Sequence, residues 1–115
     1  MRHTVKLHGV IVGHSKLEDA DPVLRRATGV FHPGLGYELI QPVFQLFSEA
    51  VPMRGGEPRD LEKLERYHAA RDKLGLVLVD PEGFVIETSA IHIADYPGQL
   101  ELDVLICDDD YWASR

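Results

Sequence analysis

An α+β fold is what the order of hydrophobic patterns predicts: two helices packed on an antiparallel sheet that combines an N-terminal strand with a C-terminal three-stranded meander. Three observations carry that expectation. A β-branched run opens the chain, two segments with apolar residues at three- and four-residue spacing occupy its middle, and a stretch of period-two alternation closes it. The 115 residues, 1–115, suit a single globular domain, because that length is close to the usual domain size and leaves no room for a second core. Leu, Ile, Val and Phe make up about 30% of the chain, above the roughly 20% below which a highly charged sequence stays unfolded.

Val5 to Val12 (VKLHGVIV) reads as one strand with a bulge or close backbone approach at Gly9. Asp19, Asp21 and Pro22 are turn formers, and Thr28 to His32 is a short extended piece ended by Pro33, Gly34 and Gly36. Tyr37, Ile40, Val43, Phe44, Phe47 and Ala50 line one face of a helix that starts near Leu39, where Pro42 falls in the first turn and its missing N–H costs nothing. Asp60 is a natural N-cap for a second helix with Leu61, Leu64, Tyr67 and Leu74 on its inner stripe and Gly75 at its end.

Leu76 to Val79 is apolar throughout, which suits a strand covered on both faces, and Asp80 to Gly83 supplies a turn. The returning strand, Phe84 to Ala94, changes its apolar parity between Ile86 and Ile91, so a bulge or bend is expected near Thr88 and Ser89. Leu100, Leu102, Val104 and Ile106 then alternate with Glu101 and Asp103, giving a last strand with one core face and one wet, acidic face.

The formal net charge of -7 is unevenly placed. Acids and bases nearly cancel as far as Lys73, whereas Leu74 to Ser114 holds carboxylates and neither Lys nor Arg. Such a surface repels phosphate, which argues against nucleic acid and against anionic membrane, and it attracts cationic partners. The opening MRHTVKLHGVIVG has too short an apolar run for a signal peptide or a membrane span, and the single Cys107 has no partner for a disulfide; the expectation is a cytoplasmic protein.

Asp108, Asp109 and Asp110 form the densest charged run, yet they lack the alternate ligand spacing and the glycine of a calcium loop. Tyr111 and Trp112 follow at once, and aromatics beside acids suit either a protein-binding hot spot or the closing edge of a core. No two of the six histidines have the HxH or HxxxH spacing of a metal pair. His8 and His14 would stand about 20 Å apart on an unbroken strand, so a metal site would have to gather His8, His92 and Asp108 from distant segments. Cys107 is followed directly by three aspartates, whose negative charge opposes its use as a nucleophile. The glycines of HPGLGYEL complete neither a dinucleotide nor a phosphate-loop motif, and no cofactor is expected.

These readings converge on a small acidic, non-enzymatic interaction domain. It would use Glu101, Asp103, Asp108, Asp109, Asp110, Tyr111 and Trp112 against a protein partner, either a basic one or a second copy of itself in a homo-oligomer. The alternative is a small enzyme or a ligand- or metal-binding protein with a pocket between helices and sheet. There His8, His32 or His92 would act as general base, oriented by Asp95 or Asp108.

Overall fold

In the computed structural model, which describes residues 2–113, the opening apolar run folds back on itself. Strands β1 (His3–Leu7) and β2 (Val10–Ser15) are the arms of a hairpin whose two-residue turn, His8 and Gly9, has φ of 49° and 83°. Positive φ at both central positions matches the right-handed twist of the strands, and histidine is one of the few residues besides glycine that tolerates it. The single strand expected over Val5 to Val12 is thus corrected to a hairpin, with Gly9 a turn residue. Apolar residues continue on both sides of the turn, which conceals it from periodicity.

β3 (Asp19–Asp21) and β4 (Arg26–Val30) form a second hairpin, in which the Asp21 carboxylate accepts from the backbone N–H groups of Val23 and Leu24 at 3.0 and 3.2 Å. β5 (His32–Pro33) returns to β2, and a short 3-10 segment (Leu35–Leu39) leads into α1 (Gln41–Ala50), with Pro42 in its first turn. α2 (Leu61–Leu74) has the expected ends: Asp60 accepts from the Lys63 N–H at 3.0 Å, and Gly75 turns left-handed at φ 68°. Its inner stripe is shorter than the spacing predicts, because Leu61 is exposed and Tyr67 alone is fully buried.

The remaining elements are β6 (Leu76–Val79), β7 (Val85–Ile86), β8 (Thr88–Tyr96), β9 (Gln99–Ile106) and the short α3 (Asp109–Ala113). They do not form the one sheet that the sequence suggests. The α+β class and the antiparallel pairing hold, but the strands divide between a five-stranded sheet, β5-β2-β1-β6-β7, and a four-stranded sheet, β3-β4-β9-β8. The expected meander is split at Glu87, with β6 and β7 beside β1 and with β8 and β9 beside β4. The physical cause is the change of apolar parity already visible between Ile86 and Ile91: the register slips between Thr88 and Ala90, and the strand leaves one sheet for the other.

The chain crosses between the sheets a first time from Ser15 to Asp19. Leu17 lies buried there at φ 46°, its N–H bonded to Ser15 Oγ at 3.1 Å, and its backbone passes directly over Gly29 of β4. A single apolar cluster joins Val5, Val12 and Leu78 of the first sheet, Ile93, Leu102 and Val104 of the second, and Ile40, Phe44 and Tyr67 of the helices. Among the described residues no helix is long and apolar enough to cross a membrane.

Candidate functional site

Alternation along β9 separates two faces. Leu102, Val104 and Ile106 are fully buried, so Glu101, Asp103 and Leu105 point the other way. Register then assembles that second face: Thr28 lies opposite Asp103 and Val30 opposite Glu101 on β4, while Asp19 and Asp21 of β3 lie opposite Thr28 and Arg26. On the other flank, Ala90 and His92 of β8 lie opposite Leu105 and Asp103. One outer sheet face therefore carries the carboxylates Asp19, Asp21, Glu101 and Asp103 and one guanidinium, Arg26.

Arg26 is committed to Asp103 through two bonds, Nε to Oδ1 at 2.8 Å and Nη2 to Oδ2 at 2.6 Å. This paired geometry holds the guanidinium still more firmly protonated than usual. Arg54, from the linker between α1 and α2, reaches only to 4.0 Å from Glu101. A depression of about 310 Å³ opens among Asp19, Asp21, Leu24, Arg26, Thr28 and Glu101.

Toward β8 the same face is roofed by helices. The Phe47 ring of α1 stands 4.4 Å from the His92 ring, the Tyr67 hydroxyl of α2 contacts His92 Nδ1, and the Arg71 guanidinium lies 5.4 Å from the centre of the Tyr67 ring. A second cavity, of about 340 Å³, runs between Phe47, Tyr67, Arg71, His92 and Asp103. Burial dominates the chemistry here. It pushes the His92 pKa down to about 4 against the pull of the Asp103 charge, and it pushes the Tyr67 hydroxyl up to about 12. Both rings are neutral near pH 7, so an imidazole that accepts the Tyr67 proton at Nδ1 carries its own proton on Nε2.

A pH dependence follows. An unfolded histidine takes up a proton near pH 6.5, whereas folded His92 resists until about pH 4, so its contribution is present above 6.5 and is lost as pH falls toward 4. The slope approaches 1.4 kcal/mol per pH unit. Urea unfolding at pH 7 and pH 5 should therefore show the His92→Gln variant losing about 2 kcal/mol less than the parent over that interval. Equal losses in the two proteins would mean that His92 is not held neutral.

The fold divides the residues that the sequence offers as one surface. Glu101 and Asp103 lie on the sheet face just described. Asp108 accepts from the Asp110 N–H at 3.0 Å at the start of α3, and Asp109 pairs with Arg25 at 2.6 Å where both are exposed. Tyr111 is buried and Trp112 half-buried, with its indole N–H donating to the Ile106 carbonyl at 2.8 Å, so these aromatics close the core at the end of β9. His8 occupies the hairpin turn, and His14 stacks on His32 at 5.1 Å. Asp95 receives the Tyr37 hydroxyl at 2.8 Å and the Gln41 amide at 3.2 Å, so Asp103, not Asp95, is the carboxylate of the His92 cavity. Among the described residues, no three His, Cys, Asp or Glu side chains gather in a way that could hold a metal, and His8, His92 and Asp108 stay apart.

Sequence reasoning passes over Arg26 and Arg71 and reads Tyr67 only as part of the inner stripe of α2. Two local signals point toward them: His92 interrupts the buried pair Ile91 and Ile93 at the polar phase of β8, and Tyr67 and Arg71 are four apart on one helix face. The cross-strand delivery of Arg26 has no local signal. No protein-family model, curated protein or solved structure matches this chain.

Proposed function

We propose that this chain is a small, non-enzymatic interaction domain that receives a basic segment of a protein partner on the outer face of its second sheet. The observation that carries this reading is the convergence of Asp19, Asp21, Glu101 and Asp103 from β3 and β9 on one face, around a depression that also exposes Leu24. Four carboxylates against two guanidinium groups, Arg26 and the Arg54 that comes to 4.0 Å from Glu101, leave -2 on that face of a protein whose net charge is -7. Arg26 is spent on Asp103, so the field at the depression comes chiefly from Asp19 and Asp21, with Glu101 partly offset by Arg54. Such a field speeds encounter with Lys- and Arg-bearing partners and disfavours others, while the exposed Leu24, Val30 and Leu105 offer apolar contact between the charges. Like charge also decides between the two partners that the sequence leaves open. Two copies of this face would repel each other, so a basic partner is favoured over self-association through it.

The Asp19→Lys/Glu101→Lys variant tests the proposal, because both positions are in the wet layer and the core beneath them is untouched. The parent and variant chains are immobilised side by side, and a protein retained by the parent is then purified and titrated against each. Its affinity for the variant should fall more than tenfold, and its affinity for the parent should weaken as salt shortens the Debye length from about 10 Å. A partner that binds both chains equally, or a parent that retains nothing the variant does not, would remove the acidic face from the protein's function.

A further inference from the structure

Next to the acidic face, the cavity beneath α2 has the opposite character. Its polar groups are the Arg71 guanidinium and the His92 and His68 rings, against a single carboxylate on its own wall, Asp103, that Arg26 already holds by two bonds. Arg71 is the least neutralised charge, because it rests on the Tyr67 ring and hydroxyl and not on a strong carboxylate partner. Its side chain is only 22% exposed, and its ion pair with the neighbouring Asp72 is long at 3.4 Å to a carboxylate that is 71% exposed, a pairing worth little in water. Around it the walls are apolar and flat, with Phe47, Tyr67, Ala90 and Leu105. The cavity also continues past Arg71: a smaller pocket of about 160 Å³ shares Arg71 and Ala90 with it, has the exposed Asp72 on its wall, and ends at Thr88 and Ser89, where the bulge of β8 turns its backbone out of register.

We propose that this cleft between α2 and β8 binds a small organic carboxylate, its charge held by Arg71 and its apolar body seated against Phe47, Ala90 and Leu105. Concave, mainly apolar pockets with a few convergent polar groups are where small ligands bind, and about 340 Å³ is at the small end of that range. A planar guanidinium matches a carboxylate with two parallel bonds. One guanidinium without a strong carboxylate partner also matches one negative charge, which favours a carboxylate over a doubly charged phosphate. Where Tyr67 donates to His92 Nδ1, the other ring nitrogen carries the proton and adds a neutral donor. The inference does not need the acidic depression: the acidic face and the cleft share Arg26, Asp103 and Leu105 at their border, but neither Asp19 nor Glu101 lines the cleft.

The full chain, labelled with ¹⁵N, is titrated with benzoate, with benzamide as the uncharged molecule of the same shape, and with phenyl phosphate. Benzoate should shift the amides of Tyr67 to Asp72 and of Thr88 to His92 saturably, and bind at least tenfold more tightly than benzamide. Arg71→Gln should bring benzoate down to the level of benzamide, while Asp19→Lys/Glu101→Lys leaves it bound at least as tightly as the parent does. The proposal is overturned by an absence of saturable shifts up to about 10 mM benzoate, by equal binding of benzoate and benzamide, or by an Arg71→Gln variant that keeps the parent affinity. Tighter binding of phenyl phosphate would overturn the choice of a carboxylate. Should Arg71→Gln fail to fold, the ratio of benzoate to benzamide affinity on the parent chain decides the matter alone.

Discussion

Tyr67→Ala is expected to cost about 3–5 kcal/mol of folding stability, the range for deleting a buried aromatic side chain. Tyr67 is fully buried, its ring packs edge-on against Phe44 and lies tilted 5.2 Å from Phe47, and its hydroxyl contacts His92 Nδ1. Removing the ring opens a cavity where α1, α2 and β8 meet and leaves a half-buried imidazole nitrogen without its partner. A domain of this size has about 5–15 kcal/mol in total, so the loss is a large share of it. Tyr67→Phe separates the two contributions. It keeps the packing and deletes the hydrogen bond, at an expected cost of about 1–2 kcal/mol. Denaturant unfolding at pH 7 measures both variants, and a phenylalanine variant as unstable as the alanine one would mean that the Tyr67–His92 bond, not the ring, carries the junction.

Gly29→Ala is expected to cost about 1–3 kcal/mol or more, although it adds one methyl group to a strand. A Cβ at position 29 would stand 2.6 Å from Ser15 Oγ, 2.8 Å from Leu17 Cα and 2.9 Å from Leu17 N. Two of those three atoms are backbone, and they belong to the segment that carries the chain from one sheet to the other. Leu17 is already at positive φ, so it has little freedom to yield. The neighbouring Thr28→Ala acts on the opposite, half-exposed face and should change stability by well under 1 kcal/mol. Denaturant midpoints of the two variants give the comparison; a Gly29→Ala protein as stable as the Thr28→Ala one would mean that the crossover lies farther from β4 than the geometry states.

Local chemistry made the helices legible. Asp60 and Gly75 bracket α2 because capping depends only on neighbouring residues, and the stripe from Tyr37 to Ala50 identifies α1 for the same reason. The wet phase of β9 at Glu101 and Asp103, and the irregularity near Ser89, are likewise local and readable. The hairpin at His8 and Gly9 was not, because its first turn residue is a histidine where Asn, Asp or Gly would have marked the turn. The division into two sheets was not readable either. Pairing of β4 with β9 is a choice among distant strands, and the period of a strand says which side chains are buried without saying beside what. The candidate site inherits that limit: Glu101 and Asp103 were visible as an acidic face, but the strands that bring Asp19, Asp21 and Arg26 to them are supplied by the fold.

The positions of β1 and β9 bear on how the chain emerges from the ribosome. Each is an interior strand of its sheet, β1 between β2 and β6, and β9 between β4 and β8. The hairpin of β3 and β4 is therefore synthesised long before its inner neighbour: Arg26 waits for Asp103, 77 residues later, which at about 5–20 residues per second is several seconds of translation. For that interval the β4 edge is bare, and a bare edge invites pairing with other nascent chains. Asp19, Asp21, Arg25 and Arg26 crowd this hairpin with charge. Charge on an uncovered edge opposes such pairing, so neutral replacement of Asp19, Asp21 and Arg26 is expected to lower the soluble yield in cells even where the finished protein is equally stable.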